Sequence, residues 1–240
     1  MRQSIVPPQE PTSSVERPHD PILSRVIWTW LHSELTLQHT KDSCLVLPSD
    51  GRGIWIMANH LSFLDAHVVD WALREHADPS MALWACAGPK VHDGHRGAFA
   101  DSLNIIQVPQ PAGISGTKDL RALAAAARAS IGAAQSKVAA GQAVLVFPEG
   151  TRSRTGKMGE WNKGVARYVS KGDWIIPMAI RGTEVLGGCI GGAEQTPLVD
   201  ARGGKKVDVS VTCCPPIEVQ DPLTALMAAR QVVQGSLGEA

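Results

Sequence analysis

The chain has no surplus of either charge: 23 lysines and arginines balance 23 aspartates and glutamates, for a formal net charge of zero. Nucleic-acid binders carry a basic footprint that answers the phosphate backbone, so the balance argues against that class of partner. A local basic patch remains compatible with it, because a total says nothing about distribution. Charged residues make up 19% and aromatics 5%, against 44% hydrophobic residues. That composition excludes a disordered chain and suits one globular domain with a substantial core. No run approaches the roughly 18 apolar residues of a spanning helix. The opening MRQSIVPPQEPTSSVERPHDP lacks the apolar core of a secretory signal and reads as a flexible tail over residues 1–20. Cysteines number five, at scattered positions. A disulfide framework is therefore not expected, and a reducing cytoplasm fits. Cys213 and Cys214 are neighbours on an expected strand and would face opposite sides, which favours packing over redox or metal chemistry.

What the chain does contain is alternation. Asp20 and Pro21 open an amphipathic segment from Ile22 to Leu37, with Ile22, Leu23, Val26, Ile27, Trp30 and Leu31 on one stripe and Leu35 close to it. Such a helix either packs on the domain or lies on a membrane surface. Buried strands are expected at Ile54–Ala58, Met81–Ala87, Asn104–Val108, Ala143–Phe147, Trp174–Ile180 and Val207–Cys213. Helices are expected over 62–76, 117–140, 162–170 and from Asp221-Pro222 to Gln234, with a glycine-rich loop over 88–96. The order implies an α/β class: a single domain, residues 21–240, with a mostly parallel central sheet flanked by helices.

Two loops carry the chemistry, and both follow buried strands, where ligands of α/β folds gather. The first is Asn59-His60-Leu61-Ser62-Phe63-Leu64-Asp65. On one continuous helix, five positions would separate histidine and aspartate by about 140°. They meet if His60 precedes the helix and Asp65 lies in its first turn. Asp65 then takes the proton of one imidazole nitrogen and leaves the other as a base near neutral pH. The bland alternative is a strand-to-helix turn in which Ser62 caps, Asp65 favours the helix N-terminus and His60 packs. The second loop is Phe147-Pro148-Glu149-Gly150-Thr151-Arg152-Ser153. Gly150 allows close backbone approach, Thr151, Ser153 and the backbone donate, and Arg152 offers a bidentate grip on phosphate. A phosphate would repel Glu149, so Glu149 either orients Arg152 or binds an acceptor hydroxyl.

Together the two loops resemble the glycerolipid acyltransferase superfamily, typified by 1-acylglycerol-3-phosphate acyltransferases. His60 through Asp65 is similar to its first signature, a histidine and an aspartate with four residues between. The 147–153 loop looks like the third, Ile176-Pro177 like the fourth, and Trp161-Asn162-Lys163-Gly164 like the stretch that follows the third. The resemblance spans residues 54–184 in the expected order. It departs at the second signature, where Ile105-Ile106-Gln107-Val108-Pro109-Gln110 holds no arginine; Lys90, Arg96 and Lys163 are candidates to take over phosphate binding.

The resemblance implies an O-acyltransferase acting through His60 and Asp65. Glu149, Gly150, Thr151, Arg152, Lys163 and Lys90 are its substrate-binding candidates. It implies no cofactor and no metal, an acyl-CoA or acyl carrier protein thioester as donor, and a lysophospholipid or glycerol phosphate as acceptor. With the amphipathic segment it implies peripheral attachment to the cytoplasmic face of a membrane. Three other readings compete: a hydrolase with Ser62 as nucleophile, a non-catalytic lipid-binding protein that keeps the fold, and a metal site built from His92-Asp93-Gly94-His95 with His67.

Overall fold

A computed structural model describes residues 15–39, 51–76, 81–92, 96–109, 120–186 and 206–239. Their strands form one mixed sheet: β1 (Glu16–Arg17), β2 (Leu35–His39), β3 (Ile54–Ala58), β4 (Leu83–Ala87), β5 (Asn104–Gln107), β6 (Ala143–Val146), β7 (Trp174–Arg181), β8 (Val207–Cys213) and β9 (Ile217–Glu218). The order is β1-β5-β4-β6-β3-β7-β8-β2, with β9 also paired to β7. From β5 to β7 every pairing is parallel, while β1, β8 and β9 join antiparallel to their neighbours β5 and β7. The mostly parallel expectation holds at the centre of the sheet, and the edges depart from it.

Parallel strands covered on both faces are apolar at every position. In β3 all five residues are buried, and in β6 all four. Alternate side chains go to opposite layers. Ile54, Ile56 and Ala58 meet Ile27 and Leu31 of α1 (Pro21–Glu34) and Val68, Val69 and Leu73 of α2 (Asp65–His76). Trp55 and Met57 meet Ala134 and Val138 of α4 (Leu120–Ala139) and Leu226, Ala229 and Val233 of α5 (Pro222–Leu237). Asp221 caps α5 as expected, its Oδ1 accepting from the Thr224 N–H at 2.8 Å.

Several elements differ from the sequence expectation. Helix α1 stops at Glu34, because Leu35 turns extended and Leu35–His39 pairs in parallel with Val207–Val211 of β8. Helical periodicity and strand alternation coincide over Leu35-Thr36-Leu37, and the free edge of β8 decides between them. The supposed tail contributes β1, whose Glu16 and Arg17 lie opposite Ile106 and Ile105. The loop over 88–96 contains a 3₁₀ turn, Pro89–His92, and Arg96 opens the short helix α3 (Arg96–Asp101). The helix expected over 162–170 shortens to a 3₁₀ turn, Lys163–Arg167, capped by Asn162. The first residues expected in α4, 117–119, lie outside the described residues, as do 1–14 of the tail and Cys44 and Cys189.

Candidate functional site

Parallel pairing of β3 with both β6 and β7 brings the ends of three strands to one edge of the sheet. The histidine loop leaves β3, the arginine loop leaves β6, and Gly182 and Thr183 leave β7. Asn59 clasps the first to the third: its side chain donates to the Ile180 carbonyl at 2.9 Å and accepts from the Ile180 N–H at 2.7 Å. A buried amide satisfied on both sides by one backbone residue fixes where His60 begins.

Asp65 is the first residue of α2 and is fully buried. An isolated buried carboxylate is costly, so its oxygens must collect donors. Oδ2 faces His60 Nδ1 at 2.9 Å and accepts from the N–H groups of Leu61 at 2.6 Å and Ser62 at 2.8 Å. Oδ1 accepts a short hydrogen bond from the Thr183 hydroxyl. This set of bonds selects the Nδ1–H tautomer of His60 and leaves Nε2 as the basic nitrogen. The His60 side chain keeps 19% exposure, so the ring is reachable while its partner is sealed. Phe147 stacks on the imidazole, with centroids 4.1 Å apart and an interplanar angle of 10°.

The arginine loop docks on the histidine loop through the main chain. The Ser153 N–H donates to the His60 carbonyl at 2.7 Å, which sets Arg152 beside the imidazole loop. Gly150 turns with φ 70°, a conformation that favours glycine. The loop encloses an open depression of about 280 Å³ bordered by Glu149, Arg152, Arg154, Lys157, Met158 and Gly159. Three cations around so small a hollow suit an anionic group. Ser153 braces the far wall, its hydroxyl donating to the Lys157 carbonyl at 2.6 Å. Met158 donates its N–H to Glu239 at 3.0 Å.

His60, Asp65, Glu149, Gly150, Thr151 and Arg152 thus share one neighbourhood. The Glu149 oxygens accept from the His60 and Gly159 N–H groups, and burial pushes its carboxyl above the usual range against the pull of those two bonds. Lys163 is exposed, next to Asn162, whose N–H donates to the Pro148 carbonyl at 2.8 Å. Lys90 is exposed on the turn after β4, two strands over from β3. Thr183 is the participant that sequence reasoning missed. It stands 118 positions from Asp65, and nothing local marks it.

The competing readings meet specific geometry. Ser62 is fully buried, and its hydroxyl oxygen accepts from the Leu64 N–H at 3.1 Å, so it caps the turn and cannot reach a substrate as a nucleophile. His67 is also buried and lies against the Phe99 carbonyl and the Ser102 hydroxyl. Burial drives its pKa down to about 4, so it is neutral at physiological pH. Of the suggested metal-binding loop, Asp93 to His95 lie outside the described residues. Cys213 and Cys214 are pushed up by burial, which suits packing thiols.

Comparison with known proteins adds a family and a fold. A family model described as Acyltransferase matches residues 39–181. No curated protein matches the chain. Among solved structures, the chain is similar to the 1-acyl-sn-glycerophosphate (LPA) acyltransferase PlsC from Thermotoga maritima, with a TM-score of 0.50 and 19% identity, over 91% of this chain and 77% of that one.

Proposed function

The chain belongs to the acyltransferase family, and from that premise we propose that it moves a fatty acyl group from a thioester to the hydroxyl of a phosphate-bearing glycerolipid precursor, with 1-acylglycerol-3-phosphate as the first candidate. The observation that carries this reading is the reachable His60 imidazole, backed at 2.9 Å by buried Asp65, on a loop whose main chain bonds to Glu149 and Ser153 of the basic depression.

In this reading His60 Nε2 takes the proton of the acceptor hydroxyl as its oxygen attacks the thioester carbonyl. The tetrahedral intermediate collapses with cleavage of the C–S bond. The thiolate leaves and recovers the proton from the imidazolium. Asp65 balances the charge that His60 carries in between. Arg152, with Arg154 and Lys157, holds the acceptor phosphate, so that attack becomes effectively intramolecular. The donor is acyl-CoA or acylated carrier protein, and no step in this scheme calls for a metal or cofactor.

The test is an acyl-transfer assay, read by mass spectrometry, that pairs both donor types with lysophosphatidate, glycerol 3-phosphate and other lysolipids. A diacyl product from a phosphate-bearing acceptor supports the proposal. Binding without transfer over the whole panel would instead favour a lipid-binding protein. Arg152→Ala is expected to raise the acceptor KM about tenfold to a hundredfold, the worth of a lost charge-assisted bond, with a smaller effect on kcat. An unchanged acceptor KM would refute the phosphate role.

Among the described residues no helix is long and apolar enough to cross a membrane. Helix α1 nonetheless leaves Ile22 at 74% and Val26 at 57% exposure, one turn apart and away from buried Ile27 and Leu31. We propose that this face rests on the cytoplasmic surface of a membrane, where the lipid acceptor resides. A double replacement, Ile22→Ser with Val26→Ser, is expected to lower vesicle partitioning about tenfold or more in a flotation assay without changing the fold. Equal flotation of variant and wild type would rule out this face.

A further inference from the structure

Glu149 borders the basic depression, yet its carboxylate is turned onto the protein main chain. Oε1 accepts from the N–H of His60 at 2.9 Å and Oε2 from the N–H of Gly159 at 2.8 Å. These two amides belong to opposite sides of the site. His60 lies on the loop from β3, and Gly159 follows Lys157 and Met158 on the far wall of the depression. The chain spaces them by 99 positions, and the one carboxylate spans them. Gly159 is matched to this contact: a Cβ there would fall 2.9 Å from Glu149 Oε2, closer than side chains tolerate.

We propose that Glu149 is a positioning residue that ties the His60 loop to the basic wall, setting the separation between the imidazole and the cations that hold the acceptor. This rests on the acyl-transfer reading for its kinetic consequence, but the tie itself is a property of the fold. A direct acceptor ligand would need oxygens aimed into the depression, whereas each of these oxygens is engaged by an amide. A carboxylate is required because both groups it meets are donors. Glutamine can accept only one of them and must point an N–H₂ at the other. Glu149→Gln therefore leaves one of these amides facing an N–H₂, and a modest loss of melting temperature is expected from that stranded donor. The split between kcat and acceptor KM separates this role from general scaffolding.

The experiment joins kinetics to amide exchange in Glu149→Gln. The expected result is a kcat lower by about tenfold or more and an acceptor KM within threefold of wild type, measured where the variant is fully folded. Exchange at the His60 or Gly159 amide is expected to accelerate at least about tenfold. Gly159→Ala, which crowds the same carboxylate from the other side, is expected to reproduce the kcat loss in weaker form and serves if Glu149→Gln fails to fold. A raised acceptor KM with kcat retained would overturn the proposal in favour of direct acceptor contact. Unchanged exchange at both amides would overturn it outright. Should the wild-type protein transfer no acyl group, the functional reading falls while the exchange measurement still decides the tie.

Discussion

Replacing His60 with alanine is expected to lower acyl transfer by about 10²–10⁴-fold, the usual contribution of a positioned general base, with the melting temperature close to wild type. The fold prediction follows from the geometry. The imidazole lies on the reachable side of the site and makes one side-chain hydrogen bond, to Asp65. Asp65 keeps the Leu61, Ser62 and Thr183 donors when the ring is gone. Loss of the base therefore removes chemistry and leaves the scaffold. Single-turnover measurements with saturating donor would isolate the chemical step. Turnover within threefold of wild type would sink the assignment of His60 as the base.

The second large effect belongs to Asp65→Asn, which is expected to fold and yet to lose about 10²–10³-fold in kcat. Asparagine presents an acceptor oxygen on one side and an N–H₂ on the other. If the oxygen takes the Oδ2 position, it still serves Leu61, Ser62 and His60 Nδ1. The amide then points at Thr183, whose hydroxyl accepts as readily as it donates, so no buried group is stranded. What disappears is the negative charge behind the imidazolium, not the orientation of the ring. Asp65→Ala is the contrasting case. It leaves two N–H groups and a hydroxyl without their acceptor in a fully buried place, at about 1–3 kcal/mol for each stranded group. Asp65→Ala is thus expected to melt well below wild type, while Asp65→Asn is not. Full activity in Asp65→Asn would show that the carboxylate merely caps α2.

The strands at the centre of the sheet were legible because they are buried on both faces, and a short run such as Ala143-Val144-Leu145-Val146 has no competing reading once glycine and proline bound it. The edges were less legible. Leu35-Thr36-Leu37 satisfies a helical stripe and a strand equally well, and only the exposed ladder of β8 turns it into β2. Glu16 and Arg17 carry no strand signal of their own; β5 recruits them. At the site, the nearness of His60 to Asp65 could be reasoned from five positions of spacing and a helix start between them. Thr183 could not, since its contact depends on the β3–β7 register. The side chain of Glu149 was visible as an anomaly beside an arginine expected to grip phosphate, but its two amide partners appear only after the loops meet.

The near-parallel contact between Phe147 and His60 has its own bearing on the chemistry. An aromatic face is electron-rich at its centre and attracts a cation placed above it. In the proposed cycle the imidazole holds the proton taken from the alcohol only until the thiolate departs. Phe147 would then steady that fleeting cation more than the resting base, an attraction timed to the crossing and held in place by the residue that leads into the arginine loop.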